Sequence, residues 1–189
     1  DIQARLLANQ LIPGADYGVG GVGLDGAGVE GIATGTIAIA GVPEDAQVVA
    51  AFLYAQVISK DGPGAGMAGA TFRGVSLSVS GAPLGKVLDP AGSAPCWSSG
   101  GGTGGGGIKR TYNYRFDVLR TLPVDEDGRI QANGAHIVQL PDLGNPDSTP
   151  RALGASLVVI YGLPDAPAAP LNAIVIYDGG YTMDNSTPS

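Results

Sequence analysis

Apolar positions in this chain repeat with a period of two. In Val75-Ser-Leu-Ser-Val-Ser80 every second residue is a serine, and because side chains alternate along a strand, the apolar residues share one face. Tyr112-Asn-Tyr-Arg-Phe-Asp-Val118 repeats the pattern, which predicts a strand with Tyr112, Tyr114, Phe116 and Val118 inward. Ile32-Ala-Thr-Gly-Thr-Ile-Ala-Ile-Ala40 and Ala135-His-Ile-Val-Gln-Leu140 read as further strands. Near the end stand two continuous blocks, Ala155-Ser-Leu-Val-Val-Ile-Tyr161 and Leu171-Asn-Ala-Ile-Val-Ile-Tyr-Asp178. Both are rich in β-branched and aromatic residues, the composition of strands. Between them, residues 162–170 hold Pro164, Pro167 and Pro170, which lack a backbone donor and exclude a helix. The chain is therefore predicted to close on a pair of core strands joined by a rigid loop.

The longest apolar run is Gln47 to Ile58. As a strand it would place Val48, Ala50, Phe52 and Tyr54 on one face, and Val49, Ala51, Leu53, Ala55 and Val57 on the other. Apolar faces on both sides predict a central, doubly covered strand; the length leaves a helix as the alternative. Turn signals separate the runs: Gly41-Val-Pro-Glu-Asp45, Lys60-Asp-Gly-Pro-Gly-Ala-Gly66, Gly81-Ala-Pro83 leading into Leu84–Leu88, and Asp125-Glu-Asp-Gly128 leading into Arg129–Ala132. Residues 1–13, with Leu6, Leu7, Leu11 and Ile12, fit either a short helix or an extended arm, and residues 14–31 are dense in glycine. Many short strands punctuated by turns predict an all-β fold: an antiparallel two-sheet β-sandwich, jelly-roll-like, with long Gly-rich loops. Residues 1–183 form one domain in this reading, with 1–13 as an N-terminal arm and 184–189 as a linker-like tail. Pro95-Cys-Trp-Ser-Ser-Gly-Gly-Gly-Thr-Gly-Gly-Gly-Gly107 is the longest glycine loop, costly to order unless a partner holds it.

Composition adjusts this picture only at its margins. Leu, Ile, Val and Phe make 47 of the 189 residues, enough apolar surface for a folded core. The 32 glycines and 14 prolines sit between apolar runs, as turns require. A net charge of −7 argues against nucleic acid, whose phosphates demand clustered cations; the nearest cluster, Lys109-Arg110 with Arg115, reads as a solvated strand end. No apolar run is long enough for a membrane-spanning helix. A single cysteine, Cys96, leaves no internal disulfide and no multi-cysteine metal site. This usage leans toward a secreted or cell-surface setting. The start at Asp1 and the composition of the tail suggest a processed chain or a segment of a larger one.

The segments that carry the strand pattern also resemble a known module. Val49-Ala-Ala-Phe-Leu-Tyr54, Tyr114-Arg-Phe-Asp-Val118, Gly154-Ala-Ser-Leu-Val-Val-Ile-Tyr161 and Ile174-Val-Ile-Tyr-Asp-Gly179 are together similar to the DUF3344-like β-sandwich module of large bacterial and archaeal surface proteins. The resemblance spans roughly residues 45–181 and departs at Ala155, where the family often has an aromatic residue. It implies a β-sandwich at the cell surface and brings no activity with it.

Candidate chemistry is sparse. Gly18-Val-Gly-Gly-Val-Gly23 matches a dinucleotide-binding pattern, but no helix start follows to receive a pyrophosphate. Ile108 separates the later glycine run from Lys109, so it is not a phosphate loop. Ser156 lacks the second glycine of a nucleophile elbow. Cys96 and His136 can be drawn into a hydrolase triad, yet nothing in the sequence fixes a thiolate beside a base; a surface histidine and an incidental thiol suffice. Asp125-Glu-Asp-Gly-Arg129 resembles a fragment of a calcium loop without its later ligands. Asp117 and Asp178 interrupt or end apolar strands, where an unpaired charge is expensive. They cap turns, or they join Asp16 and Asp25 around a calcium ion, the one cofactor the sequence suggests.

These readings point to a non-catalytic structural or adhesive domain of an extracellular protein. Its partners would be other surface modules or copies of itself, and the apolar arm 1–13 could complete a neighbour's sheet. The alternative is a carbohydrate-binding module using Trp97, Tyr17 and Tyr181; a hydrolase is the third reading.

Overall fold

The computed structural model describes residues 5–77, 84, 109–145, 148–163 and 170–179, with side chains from residue 12 onward. Cys96, Trp97 and the rest of the glycine loop 95–107 lie outside the described residues, as do Tyr181 and the tail 184–189. Eleven strands follow in chain order: β1 (Arg5–Pro13), β2 (Asp16–Gly23), β3 (Gly28–Val29), β4 (Ile32–Ile39), β5 (Gln47–Ser59), β6 (Thr71–Phe72), β7 (Val75–Ser76), β8 (Arg110–Asp117), β9 (Gly134–Pro141), β10 (Arg151–Gly162) and β11 (Leu171–Asp178). Two single-turn 3-10 segments, Ala65–Met67 and Leu119–Thr121, are the only helical pieces among the described residues. The molecule is all-β, and every strand pairing is antiparallel.

The strands form three sheets: a four-stranded one ordered β2-β10-β5-β8, a five-stranded one ordered β3-β4-β9-β6-β7, and a ribbon of β1 and β11. One buried cluster draws on both larger sheets. From the four-stranded sheet come Ala51, Leu53, Ala55, Val57, Tyr112, Tyr114, Leu157 and Val159; from the five-stranded one come Ala33, Ile37, Phe72, Val138 and Leu140.

The long run 47–58 is a strand, and its alternation explains why. Ala51, Leu53, Ala55 and Val57 enter the core, while Phe52, Tyr54 and Gln56 form a half-buried second face. With β10 on one side and β8 on the other, β5 satisfies its backbone groups along both edges, which a chain with two apolar faces requires. The helix alternative is overturned.

Two other expectations are corrected. The closing strands are not a core pair: β10 is central in the four-stranded sheet, whereas β11 leaves that sheet and pairs with β1. Its Leu171, Val175 and Tyr177 are exposed. The described part of residues 1–13 is not a helix but the strand β1, Arg5–Pro13, and its partner is β11 of the same chain. The glycine-dense stretch 14–31 contains a full strand, β2, that its composition hides. A side chain at Gly20 would collide with the Ala38 carbonyl and stand 2.9 Å from Ile37 Cγ2; one at Gly35 would lie 2.7 Å from Leu24 Cδ2. The glycines let β2 and β4, from different sheets, approach more closely than side chains allow.

Candidate functional site

The second face of β5 is where polar chemistry collects. Registers place Val158, Phe52 and Asp117 in one cross-strand row and Ser156, Tyr54 and Arg115 in the next, over β10, β5 and β8. The ribbon is tied to this sheet at both ends. At its root, Gly14 N donates to Pro170 O (2.8 Å), Leu163 N to Pro13 O (2.9 Å) and Asn172 Nδ2 to Ala15 O (3.0 Å). At its tip, Asp178 is buried, accepts from the Tyr54 hydroxyl (2.6 Å) and forms an ion pair with Arg115. The Arg115 guanidinium also lies 5.6 Å from the centre of the Phe52 ring, a cation–π geometry. Burial raises the Tyr54 hydroxyl above its usual pKa, with the Arg115 charge opposing that shift. The hydroxyl therefore stays protonated at neutral pH and serves Asp178 as a donor.

Beside this lock opens a cleft of about 640 Å³ between the ribbon tip and the sheet, lined by Tyr54, Gln56, Asn113, Ser156, Tyr177 and Asp178 together with apolar Val22, Leu153, Val158 and Ile176. Its volume falls in the range of small-molecule sites. Gln56 Nε2 donates to Asn113 Oδ1 (2.8 Å), while Asn113 Nδ2 is buried with no hydrogen-bond partner among the described residues. Backbone from the segment after β7 reaches the same strand, since Leu84 N donates to Asn113 O (2.7 Å). A second cavity of about 340 Å³ lies at the turn ends, lined by Asp45, Gln47, Val48, Arg129 and Ile130.

The four carboxylates assigned to calcium do not converge. Asp16 opens β2 and accepts from Tyr17 N (2.8 Å). Asp25 lies beyond the far end of β2, a strand whose ends stand about 23 Å apart, and binds Arg151 through both oxygens at 2.5 and 2.7 Å. That hydrogen-bonded arginine holds the Asp25 carboxyl below its usual pKa, against the smaller opposing effect of burial. Asp117 caps the following 3-10 turn by accepting from Leu119 N (3.1 Å), and Asp178 is held by Arg115 and Tyr54. Calcium needs its oxygens at about 2.3–2.6 Å from one point, so Asp16, Asp25, Asp117 and Asp178 do not make one site. Among the described residues no group of three or more His, Cys, Asp or Glu side chains sits where it could hold a metal. Asp125 behaves as a turn residue: it accepts from Asp127 N, Arg129 N and Gln131 Nε2 at 2.7–3.0 Å.

His136 is not at the surface. It is 1% exposed, stacks on Phe72 at 5.9 Å between ring centres, and bonds Ala132 O through Nε2 (2.8 Å). Arg73 Nη1 lies 3.3 Å from Nδ1, so the pairing requires Nδ1 as acceptor and places the proton on Nε2. Burial lowers the His136 pKa, and the Arg73 charge adds to that, against the opposing bond to Ala132. The ring is a neutral staple between β9 and the loop before it. Asp142, missed by sequence reasoning, plays a similar part: it is fully buried and accepts from Gly144 N (2.6 Å) and Ala152 N (3.0 Å), pinning the connection into β10.

Of the aromatic candidates, Tyr17 is 58% exposed at the start of β2. The residues that do line a cleft, Gln56, Asn113 and Ser156, gave no sequence signal, because their juxtaposition depends on strand register. Compared with known proteins, the chain matches no protein-family model, no curated protein and no solved structure.

Proposed function

We propose that this chain is a non-catalytic structural and adhesive module of a secreted or cell-surface protein, built as a two-sheet β-sandwich of jelly-roll type. The sandwich reading draws support from the single buried cluster to which both larger sheets contribute. The observation that carries the functional reading is the exposure of large apolar side chains on extended strands: Tyr17 and Val19 on β2, Leu171 and Val175 on β11. Exposed apolar groups on strands favour association with further protein surface. β2 ends its sheet in the order β2-β10-β5-β8, and a sheet edge invites pairing with another chain. The resemblance to surface-protein modules in the segments around Tyr54, Asp117, Tyr161 and Asp178 points the same way.

The partners in this reading are other surface modules or copies of this chain, joined through the terminal strand. Among the described residues β1 has one sheet neighbour, β11, and the same pairing made between copies would link them without new contacts. Sedimentation of the full chain and of a chain lacking residues 1–13 tests this. Concentration-dependent association of the full chain, lost in the shortened chain while its β-type circular dichroism persists, is the expected result. A full chain that stays monomeric, or assembly that survives the deletion, would overturn self-association through β1.

A further inference from the structure

We propose that the cleft between the tip of β11 and the outer face of the four-stranded sheet binds a neutral saccharide. Three features carry it.

The first is an orphan donor. Asn113 lines the cleft and spends its carbonyl oxygen on Gln56, leaving Nδ2 buried without a partner among the described residues. A native structure seldom leaves a buried donor unpaired, because the group has given up water for nothing. A ligand oxygen entering the cleft, with a small turn of the amide, would supply the missing acceptor.

The second is the balance of charge and hydrogen-bonding capacity. The only carboxylate among the described lining residues, Asp178, is already matched by Arg115 and by the Tyr54 hydroxyl. The site therefore offers no uncompensated charge for an ionic ligand. What remains are an amide donor, the oxygen of Tyr54 and the Ser156 hydroxyl, which can donate or accept. Such a set suits a ligand whose own groups are hydroxyls.

The third is the mixture of surfaces. Val158, Leu153 and Ile176 line the cleft beside those polar groups. Sugars present hydroxyls around the ring edge and C–H groups on the ring face, so they need both kinds of surface.

The test is a titration of the full-length, ¹⁵N-labelled chain with a panel of neutral oligosaccharides, α- and β-linked hexoses and N-acetylhexosamines, beside a uronic-acid oligosaccharide. The expected result is that a neutral sugar shifts the side-chain amide signals of Asn113 saturably. Ser156→Ala and Ile176→Ala should each weaken binding by about tenfold, with circular dichroism unchanged. Asn113→Leu should abolish it; should that variant fail to fold, the two other substitutions still decide. The proposal is overturned if no neutral sugar moves the Asn113 signals, if only the anionic sugar binds, or if both variants bind as the parent does. Because assembly is read by sedimentation of the chain lacking residues 1–13, failure here leaves the structural reading standing, and the reverse holds too.

Discussion

At Gly20 and Gly23, one residue type in one strand serves two different purposes. A Cβ at Gly20 would meet the Ala38 carbonyl, whereas one at Gly23 would find nothing within 4 Å. Gly20→Val should therefore destabilise the fold by about 2 kcal/mol or more through overpacking. Gly23→Val should be neutral or slightly stabilising, valine being the better strand former. Urea denaturation of the two variants reads the contrast, and equal losses would remove the claim that β2 is glycine-rich because β4 lies so close. His136 makes a second prediction at this scale. Its folded pKa lies below the 6.5 of an unperturbed ring, so below that pH the unfolded chain binds the extra proton and the folded chain resists it. Stability should be full above pH 6.5 and fall as pH drops toward the folded value. His136→Gln should flatten this segment of the pH–stability curve. Asp25 acts later: its folded pKa is depressed below 3.8, so its contribution is present above that value and fades as pH falls through the folded one. A curve for the glutamine variant that still declines between pH 6.5 and 5 would show that another group is responsible.

The ribbon is the element whose behaviour is least like the rest. β5, β10 and β9 have neighbours on both sides in their sheets, whereas among the described residues β1 and β11 pair only with each other. What fixes the ribbon to the body is a backbone root near Pro13 and Pro170 and the Asp178 lock at the tip. The carboxylate is buried while the Arg115 side chain keeps 25% of its exposure, so the pair is strong at one end and solvated at the other. Asp178→Ala should cost about 2–3 kcal/mol locally, the range for losing hydrogen bonds to a charged group. Hydrogen exchange should then accelerate along β1 and β11 while β5 and β10 keep their protection. Uniform acceleration in every strand would mean that the ribbon belongs to the global folding unit. The same substitution should open the mouth of the saccharide cleft, since Asp178 and Ile176 form one of its walls.

For the whole molecule, the shared core predicts a single event. Leu53 and Leu157 from one sheet belong to the same buried cluster as Ile37, Phe72 and Leu140 from the other, so neither sheet keeps its apolar face covered without its partner. Far-ultraviolet circular dichroism and the near-ultraviolet signal of Tyr112 and Tyr114 should lose intensity at one denaturant midpoint. Separate midpoints would mean that the sheets are independent. Much of this architecture was legible in the residues. Alternation marked β8 from Tyr112 to Phe116, and composition marked β4, β9 and β10, because burial on one face of a pleated strand leaves a period of two in any sequence that folds this way. Other parts were not. β2 was hidden because glycine has no side chain to alternate. β11 looked like a core strand because Ile174 and Ile176 do face inward, while Leu171, Val175 and Tyr177 are left outside. Asp142 and His136 carry no local sign of burial.

By itself the sequence determined the extended backbone, the turns and which residues of most strands face the core, since these follow from side-chain chemistry and nearest neighbours along the chain. Which strands pair, where β11 docks, and the meeting of Asn113 with Ser156 and Asp178 were decided only in three dimensions. Those depend on contacts between residues far apart in the chain, and one residue of register shift would send every one of those side chains to the opposite face.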